Sequence, residues 1–188
     1  MSEIKYGQIE IENTLLLVCD IQQIFKDKIH NFENLVYNVK NMINVAKILD
    51  IKIVVSEQYP KVFGNTIDEI KNILPEHTSI IEKKKFSMVN DSLLELINKE
   101  KIKSVILLGI ESHICILQTS LELKSLGIDV HIMEEGISSQ NKKDKDSALK
   151  RMLQSSIFIT MFESLTFQLL KTSSHCKFKE IIKIIKEY

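Results

Sequence analysis

The chain has 188 residues, of which 44% are hydrophobic and 27% charged, and 25 lysines and arginines balance 25 aspartates and glutamates. This balance provides no electrostatic attraction to nucleic acid or to an anionic membrane, so neither is a predicted partner. No apolar run approaches the roughly 20 residues that cross a bilayer. Three cysteines without close pairing are typical of a reducing compartment, which predicts a cytoplasmic protein.

Strand-like segments alternate with helix-like segments along the chain. The predicted strands are short and apolar at consecutive positions, as in strands buried on both faces of a parallel sheet. They cover residues 14–19, 51–56, 79–82, 104–110, 128–133 and 156–160. Amphipathic spacing predicts helices at residues 32–49, 91–100, 112–126, 143–154, 163–170 and 178–186.

The alternation predicts an α/β fold, namely a three-layer α/β/α sandwich with a mainly parallel six-stranded sheet and right-handed crossovers. The sequence contains no repeat, no low-complexity linker and no break in composition. Residues 1–188 are therefore predicted to form a single domain.

Chemically reactive side chains follow three of the predicted strands. Asp20 comes directly after the first strand, Lys83 after the third, and Cys115 shortly after the fourth. Ligands bind at the carboxyl ends of parallel strands, so an acid, a cation and a thiol are expected to converge at one edge of the sheet. A carboxylate near a thiol can accept its proton, and an ammonium group stabilises the resulting anions.

Cys115 is predicted to lie in the first turn of a helix that is entered directly from a strand. Unpaired backbone N–H groups collect at such a place, and the helix dipole favours negative charge there. A thiol in that field loses its proton more easily, and the thiolate is the nucleophilic form of cysteine. The pattern therefore indicates an enzyme with a cysteine nucleophile.

Three segments resemble the signature blocks of the isochorismatase-like cysteine hydrolases. They are residues 20–25 (DIQQIF), 83–87 (KKKFS) and 109–115 (GIESHIC). Residues 56–60 (SEQYP), 86–89 (FSMV) and 178–181 (FKEI) are similar in particular to the isochorismatase domain-containing proteins of eukaryotes. The similarity runs from about residue 13 to residue 186, and it implies a Rossmann-like, isochorismatase-like hydrolase fold. Related proteins commonly form homo-oligomers, so a homo-oligomer is also implied.

The resemblance implies a catalytic triad. It assigns Asp20 as the acceptor of the thiol proton, Lys83 as the cation and Cys115 as the nucleophile. It also implies a non-proline cis peptide bond between Ile110 and Glu111, with the backbone N–H groups of Glu111 and Cys115 forming an oxyanion hole.

The resemblance also bears on the substrate pocket and on cofactors. Phe25 matches an aromatic residue near the substrate, and Glu57 and Tyr59 either shape the pocket or hold the loop. Nicotinamidases of this superfamily bind a metal through an Asp-x-His motif, whereas this chain has Ser56-Glu-Gln58 there. No metal and no organic cofactor are therefore expected. Isochorismatases carry glycine at the position of Cys115, so isochorismate hydrolysis is not the expected reaction.

The predicted function is that of a cysteine hydrolase, which cleaves a small amide-like C–N bond through a covalent acyl-enzyme. The alternative is a binding or scaffolding protein that keeps the fold and the triad without turnover. A separate alternative for Cys115 itself is that of a buried small hydrophobe. Cys19 and Cys176 are predicted to be structural or incidental, and Lys84 and Lys85 to be solvated.

Overall fold

A single parallel sheet organises the chain in the computed structural model, which describes residues 6–188; residues 1–5 of the predicted domain lie outside the described part. The strands run in the order β3-β2-β1-β4-β5-β6, and every adjacent pair is parallel. They are β1 (Thr14–Cys19), β2 (Lys52–Gln58), β3 (Ser79–Lys83), β4 (Ser104–Ile110), β5 (Asp129–Ser138) and β6 (Phe158–Thr160). The predicted six-stranded α/β/α architecture is confirmed.

Helices connect the strands and cover both faces of the sheet. They are α1 (Phe32–Ile48), α2 (Pro60–Phe63), α3 (Asp68–Lys71), α4 (Asp91–Lys99), α5 (Leu117–Ser125), α6 (Lys142–Gln154), α7 (Phe162–Leu170) and α8 (Phe178–Glu187). The short helices α2 and α3 lie between β2 and β3, where the sequence predicted no helix. Within residues 6–188, no helix combines the length and the apolar composition that crossing a bilayer requires.

The sheet separates two hydrophobic cores. The first core packs one face of the sheet against α1, α3, α7 and α8, and the second core packs the other face against α4, α5 and α6. Side chains of β1 alternate between them, because successive residues of a strand point to opposite faces. Leu16 and Val18 enter the first core, whereas Leu15, Leu17 and Cys19 enter the second.

The carboxyl ends of the four neighbouring strands β3, β2, β1 and β4 form the edge that carries the candidate site. Gly109 of β4 pairs with Cys19 of β1 and has a φ of +115°. A Cβ atom at Gly109 would overlap the backbone carbonyl of Cys19, so only glycine allows the two strands to approach this closely at their ends.

Candidate active site

Asp20 follows β1 directly and is buried at the carboxyl end of that strand. Its φ of 53° lies in the left-handed region, which aspartate adopts more readily than most residues. Ser56 Oγ donates a hydrogen bond to Oδ1 at 2.7 Å, Lys83 Nζ donates to Oδ2 at 2.7 Å, and the Cys19 thiol lies 3.4 Å from Oδ2. These donors fix the orientation of the carboxylate.

Lys83 is the last residue of β3, and its ammonium group joins the acid to the thiol. Nζ lies 2.7 Å from Asp20 Oδ2 and 3.7 Å from Cys115 Sγ. It also donates to Gln58 Oε1 at 2.7 Å and to the carbonyl of Phe86 at 2.9 Å. The carbonyl of Lys85 accepts at 3.3 Å as well, so five acceptors compete for the three hydrogens of the ammonium group.

The charge of Lys83 is maintained although its side chain is buried. Burial by itself lowers the pKa of Lys83, but its electrostatic interactions with Cys19, Asp20 and Cys115 together raise it by more. The net pKa lies above its ordinary value. Lys83 is therefore cationic at neutral pH and can stabilise an anion on either partner.

Cys115 lies on a π-helical turn, Ser112–Ile116, which leads from β4 into α5. The predicted position at the start of a helix is confirmed, with the difference that this first turn is π-helical. Thr119 Oγ1 donates to the carbonyl of Cys115 at 2.7 Å and accepts from the N–H of Met88 at 3.0 Å. Through these two hydrogen bonds, Thr119 of α5 links the segment after β3 to the turn that carries Cys115.

The peptide bond between Ile110 and Glu111, just before this turn, is cis, as the resemblance implied. Glu111 turns its side chain toward a neighbouring loop, because its Oε2 accepts a hydrogen bond from the N–H of Gln140 at 2.9 Å.

Cys19 also belongs to this cluster, although the sequence predicted that it was structural or incidental. Its sulfur, the sulfur of Cys115 and a carboxylate oxygen of Asp20 all lie within 4.8 Å of one another. The sequence predicted that the Asp20 carboxylate and the Cys115 thiol lie close together, and this proximity is confirmed. Burial, the hydrogen bond with Cys115 and the charge of Asp20 raise the pKa of Cys19 well above its ordinary value.

Two sulfurs and a carboxylate are potential metal ligands. However, the ammonium group of Lys83 lies 2.7 Å from the carboxylate and 3.7 Å from the sulfur of Cys115. Its positive charge would repel a metal cation from the same three ligands. The arrangement of these residues therefore fits an anion-stabilising site better than a metal centre.

The cluster opens into a small, apolar cavity of about 140 Å³. Phe25, predicted to lie near the substrate, forms part of the wall, and its ring centroid is 5.6 Å from that of Phe63. Five further residues line the cavity and were not predicted from the sequence to contact substrate. They are Gln58, Phe63, Phe86, Ile110 and Ile114.

Glu57 and Tyr59 do not line this cavity in the described part of the chain. The buried carboxylate of Glu57 accepts hydrogen bonds from the N–H of Thr66 at 2.7 Å and from Asn65 Nδ2 at 3.0 Å. It holds the loop after α2. Tyr59 is 40% exposed, and Lys84 Nζ lies 4.9 Å from its ring centroid.

The fold and the residues of the site define an isochorismatase-like hydrolase. A family model of the isochorismatase domain matches residues 14–163. The chain is 38% identical to isochorismatase family protein 1A of Dictyostelium discoideum over 185 residues, which are 96% of this chain and 90% of that protein. It is 40% identical to isochorismatase domain-containing protein 2A of Mus musculus over 183 residues, which are 96% of this chain and 86% of that protein.

Among solved structures, the chain is similar to one described as the MAR1 ribonuclease of Caenorhabditis elegans. The TM-score is 0.92 at 37% identity, over 95% of this chain and 92% of that one. The chain belongs to the isochorismatase family, as the signature blocks implied.

Proposed function

We propose that the protein is a cysteine hydrolase that cleaves an amide-like C–N bond of a small molecule. The observation that carries this proposal is the position of the Lys83 ammonium group, which contacts the Asp20 carboxylate and the Cys115 sulfur at the wall of one cavity. A cation that touches both groups can stabilise either the carboxylate or the thiolate as the proton moves between them.

In the first half of the reaction, Asp20 accepts the proton of Cys115, and the thiolate attacks the carbonyl carbon of the substrate. The backbone N–H groups of Glu111 and Cys115 stabilise the oxyanion of the tetrahedral intermediate. Asp20 then returns the proton to the departing nitrogen, the C–N bond breaks, and a thioester remains on Cys115.

In the second half, Asp20 accepts a proton from a water molecule that attacks the thioester carbon. The second tetrahedral intermediate collapses, the C–S bond breaks, and the sulfur leaves as a thiolate beside Lys83. The products are a carboxylic acid and an amine or ammonia, and the free thiol is restored when the proton passes from Asp20 to Cys115.

The cavity favours a neutral substrate with a short apolar acyl group. Its volume of about 140 Å³ is close to that of the cavity of about 150 Å³ that holds benzene in a well-studied lysozyme variant. Three phenylalanines and two isoleucines form its apolar walls. The charges of Asp20 and Lys83 offset each other, so a second charge on the substrate would be buried without a partner.

A panel of small amides tests this proposal through the release of ammonia. Isobutyramide and benzamide represent neutral acyl groups, and succinamate represents a charged one of similar size. We expect turnover of neutral members in preference to succinamate. Cys115→Ser should abolish turnover, and Asp20→Asn should lower it by about 10²–10⁴-fold, the usual contribution of a general acid–base group.

Cys176→Ser is the matched control, because Cys176 is exposed and is not among the residues that line the cavity. This variant should retain the activity of the unmodified protein. Equal activity of Cys115→Ser and Cys176→Ser would contradict the proposal. Binding of panel amides with equal affinity by the unmodified protein and Cys115→Ser, without any turnover, would instead support the non-catalytic alternative.

RNA is a second candidate substrate, favoured by the similarity to a protein described as a ribonuclease. A cavity of about 270 Å³ beside Lys83 is lined by Tyr59, Lys61 and Lys84. An aromatic ring with neighbouring lysines could stack a base and contact a phosphate. Cleavage of a single-stranded RNA oligonucleotide that is lost in both Cys115→Ala and Tyr59→Ala would identify this activity. Intact RNA would support the predicted absence of a nucleic-acid partner.

A further inference from the structure

Two cysteines share the candidate site, but the proposed hydrolysis uses only one of them. Cys19 is fully buried at the end of β1, and its sulfur lies within 4.8 Å of the sulfur of Cys115. Cys115 lines the cavity and can be reached by a small solute. The third cysteine, Cys176, is exposed and lies just before α8.

We propose that Cys19 and Cys115 form a reversible disulfide when a peroxide oxidises the thiol in the cavity. The structure thereby assigns Cys19 as a resolving cysteine, a role that the hydrolytic reaction does not require. The proposal depends on the positions of the two sulfurs and not on the identity of any substrate.

The oxidation proceeds in two steps. The Cys115 thiolate attacks one oxygen of hydrogen peroxide, the O–O bond breaks, and the products are a sulfenic acid on Cys115 and hydroxide. The Cys19 sulfur then attacks the sulfenic sulfur, the S–O bond breaks, and an S–S bond forms. The proton of Cys19 and the departing hydroxide combine to give water. Peroxide is the only oxidant required.

The surroundings of the two thiols favour this order of events. Lys83 Nζ lies 3.7 Å from the sulfur of Cys115 and stabilises its thiolate, which is the form that peroxide oxidises. The raised pKa of Cys19 keeps its thiol protonated and unreactive toward peroxide. Asp20 Oδ2 lies 3.4 Å from the Cys19 sulfur and can accept its proton when the sulfenic acid has formed.

Only a short movement is needed to form the bond. A disulfide has an S–S distance of about 2.05 Å, so the sulfurs must approach each other from their separation of at most 4.8 Å. Cys19 is held in the central strand β1 between β2 and β4. The movement is therefore expected in the side chain and the π-helical turn of Cys115.

The disulfide would protect the nucleophile. A sulfenic acid that meets no second thiol is oxidised further to a sulfinic acid, which cellular thiols do not reduce. A bond to Cys19 stops this progression and withdraws the sulfur from the cavity. The protected form would be inactive until a dithiol such as dithiothreitol reduces it.

Peptide mapping of the full chain after treatment with hydrogen peroxide tests the proposal. Trypsin places the three cysteines on separate peptides, residues 6–26, 104–124 and 172–177. In the unmodified protein we expect a linked pair of peptides 6–26 and 104–124 with the loss of two hydrogens, and its complete disappearance after dithiothreitol. Cys176→Ser is the matched control and should give the same linked pair.

In Cys19→Ser, the linked pair should be lost and peptide 104–124 should gain two oxygens, which marks a sulfinic acid. The proposal is overturned if the unmodified protein gives this sulfinic acid without any linked pair. It is also overturned if Cys19→Ser and the unmodified protein give equal amounts of sulfinic acid, or if the linked peptides include residues 172–177. Because none of these measurements uses turnover, failure of the amide panel would leave them interpretable.

Discussion

Lys83 is the residue on which the electrostatics of the site depend. It is the only cation within hydrogen-bonding distance of the Asp20 carboxylate and the Cys115 sulfur among the contacts of the described residues. The ammonium group of its neighbour Lys84 lies over the ring of Tyr59 instead. These two lysines therefore provide a matched pair for testing the effect of one buried charge.

Lys83→Met should slow the alkylation of Cys115 by iodoacetamide near neutral pH, because the thiolate loses the cation at 3.7 Å. Iodoacetamide alkylates the thiolate, and removing an opposite charge this close to it should slow the reaction about tenfold. Mass spectrometry of the labelled peptide 104–124 over time measures this rate.

Lys84→Met should leave the rate unchanged, since its ammonium group does not contact the sulfur. In the unmodified protein, Cys115 should react faster than the fully buried Cys19 and faster than Cys176. If all three cysteines react at one rate in every variant, Cys115 is an ordinary structural thiol.

Strand β2 shows how the alternation of side chains along a strand determines which residues reach the site. Ser56 and Gln58 are two positions apart and share a side of the strand, from which they contact Asp20 and Lys83. Glu57, between them, points to the opposite side and holds the loop after α2 through Thr66.

Glu57→Ala should lower the free energy of unfolding by about 1–3 kcal/mol, because the buried N–H of Thr66 would lose its acceptor. Glu57→Gln retains a carbonyl oxygen and should lose less. Urea unfolding monitored by circular dichroism compares the variants. Glu82→Ala is the control, since Glu82 pairs with Glu57 in register on β3 but is exposed. Equal losses in Glu57→Ala and Glu82→Ala would show that the contact with Thr66 contributes nothing.

The sequence predicted β1 and β4 with the bounds that the structure has, because each strand is an apolar run after its first residue and is buried on both faces. The predicted β5 was too short: it ended at residue 133, whereas the strand in the structure ends at Ser138. Leu107 pairs with Ile132 but Gly109 pairs with Ile137, so the intervening polar stretch of β5 bulges out of the ladder. Such a bulge in a charged segment looks like a turn in the sequence.

The residues at strand ends were predictable for the same reason that the sheet was, since parallel strands present their carboxyl ends at one edge. The contacts between side chains from different elements at this edge could not be predicted. The pattern of β1 shows that Cys19 and Leu17 share a face, but it does not show that the helix carrying Cys115 covers that face. The catalytic roles, the single domain and the cytoplasmic location stay predictions.

Acid should destabilise the folded protein through His131. This histidine is 2% exposed, and its ring stacks on Phe158 at 5.1 Å. Its Nε2 has no hydrogen-bond partner among residues 6–188. Burial lowers the pKa of His131 to about 4, with Asp129 opposing this shift and Lys124 adding to it.

The unfolded chain therefore binds a proton near pH 6.5 that the folded protein accepts only near pH 4. Stability contributed by the neutral ring is present above pH 6.5 and is lost as the pH falls toward 4, to a total of about 3 kcal/mol. Urea unfolding across this range should show a smaller loss in His131→Phe. The exposed His77 provides the control, and His77→Gln should follow the unmodified protein. Parallel curves for all three would disprove the assignment.

The division of the interior by the sheet implies that the two halves of the molecule respond independently to mutation. Ile43 lies in the first core and Ile132 in the second, and both are fully buried. Ile→Val at either position should cost about 0.5–1.5 kcal/mol. The double variant should lose the sum to within about 0.5 kcal/mol, because the two side chains lie in different cores on opposite faces of the sheet. A larger coupling energy, measured by a double-mutant cycle in urea, would mean that the central strands transmit strain between the layers. If the costs are additive, each layer of helices can evolve without readjustment of the other.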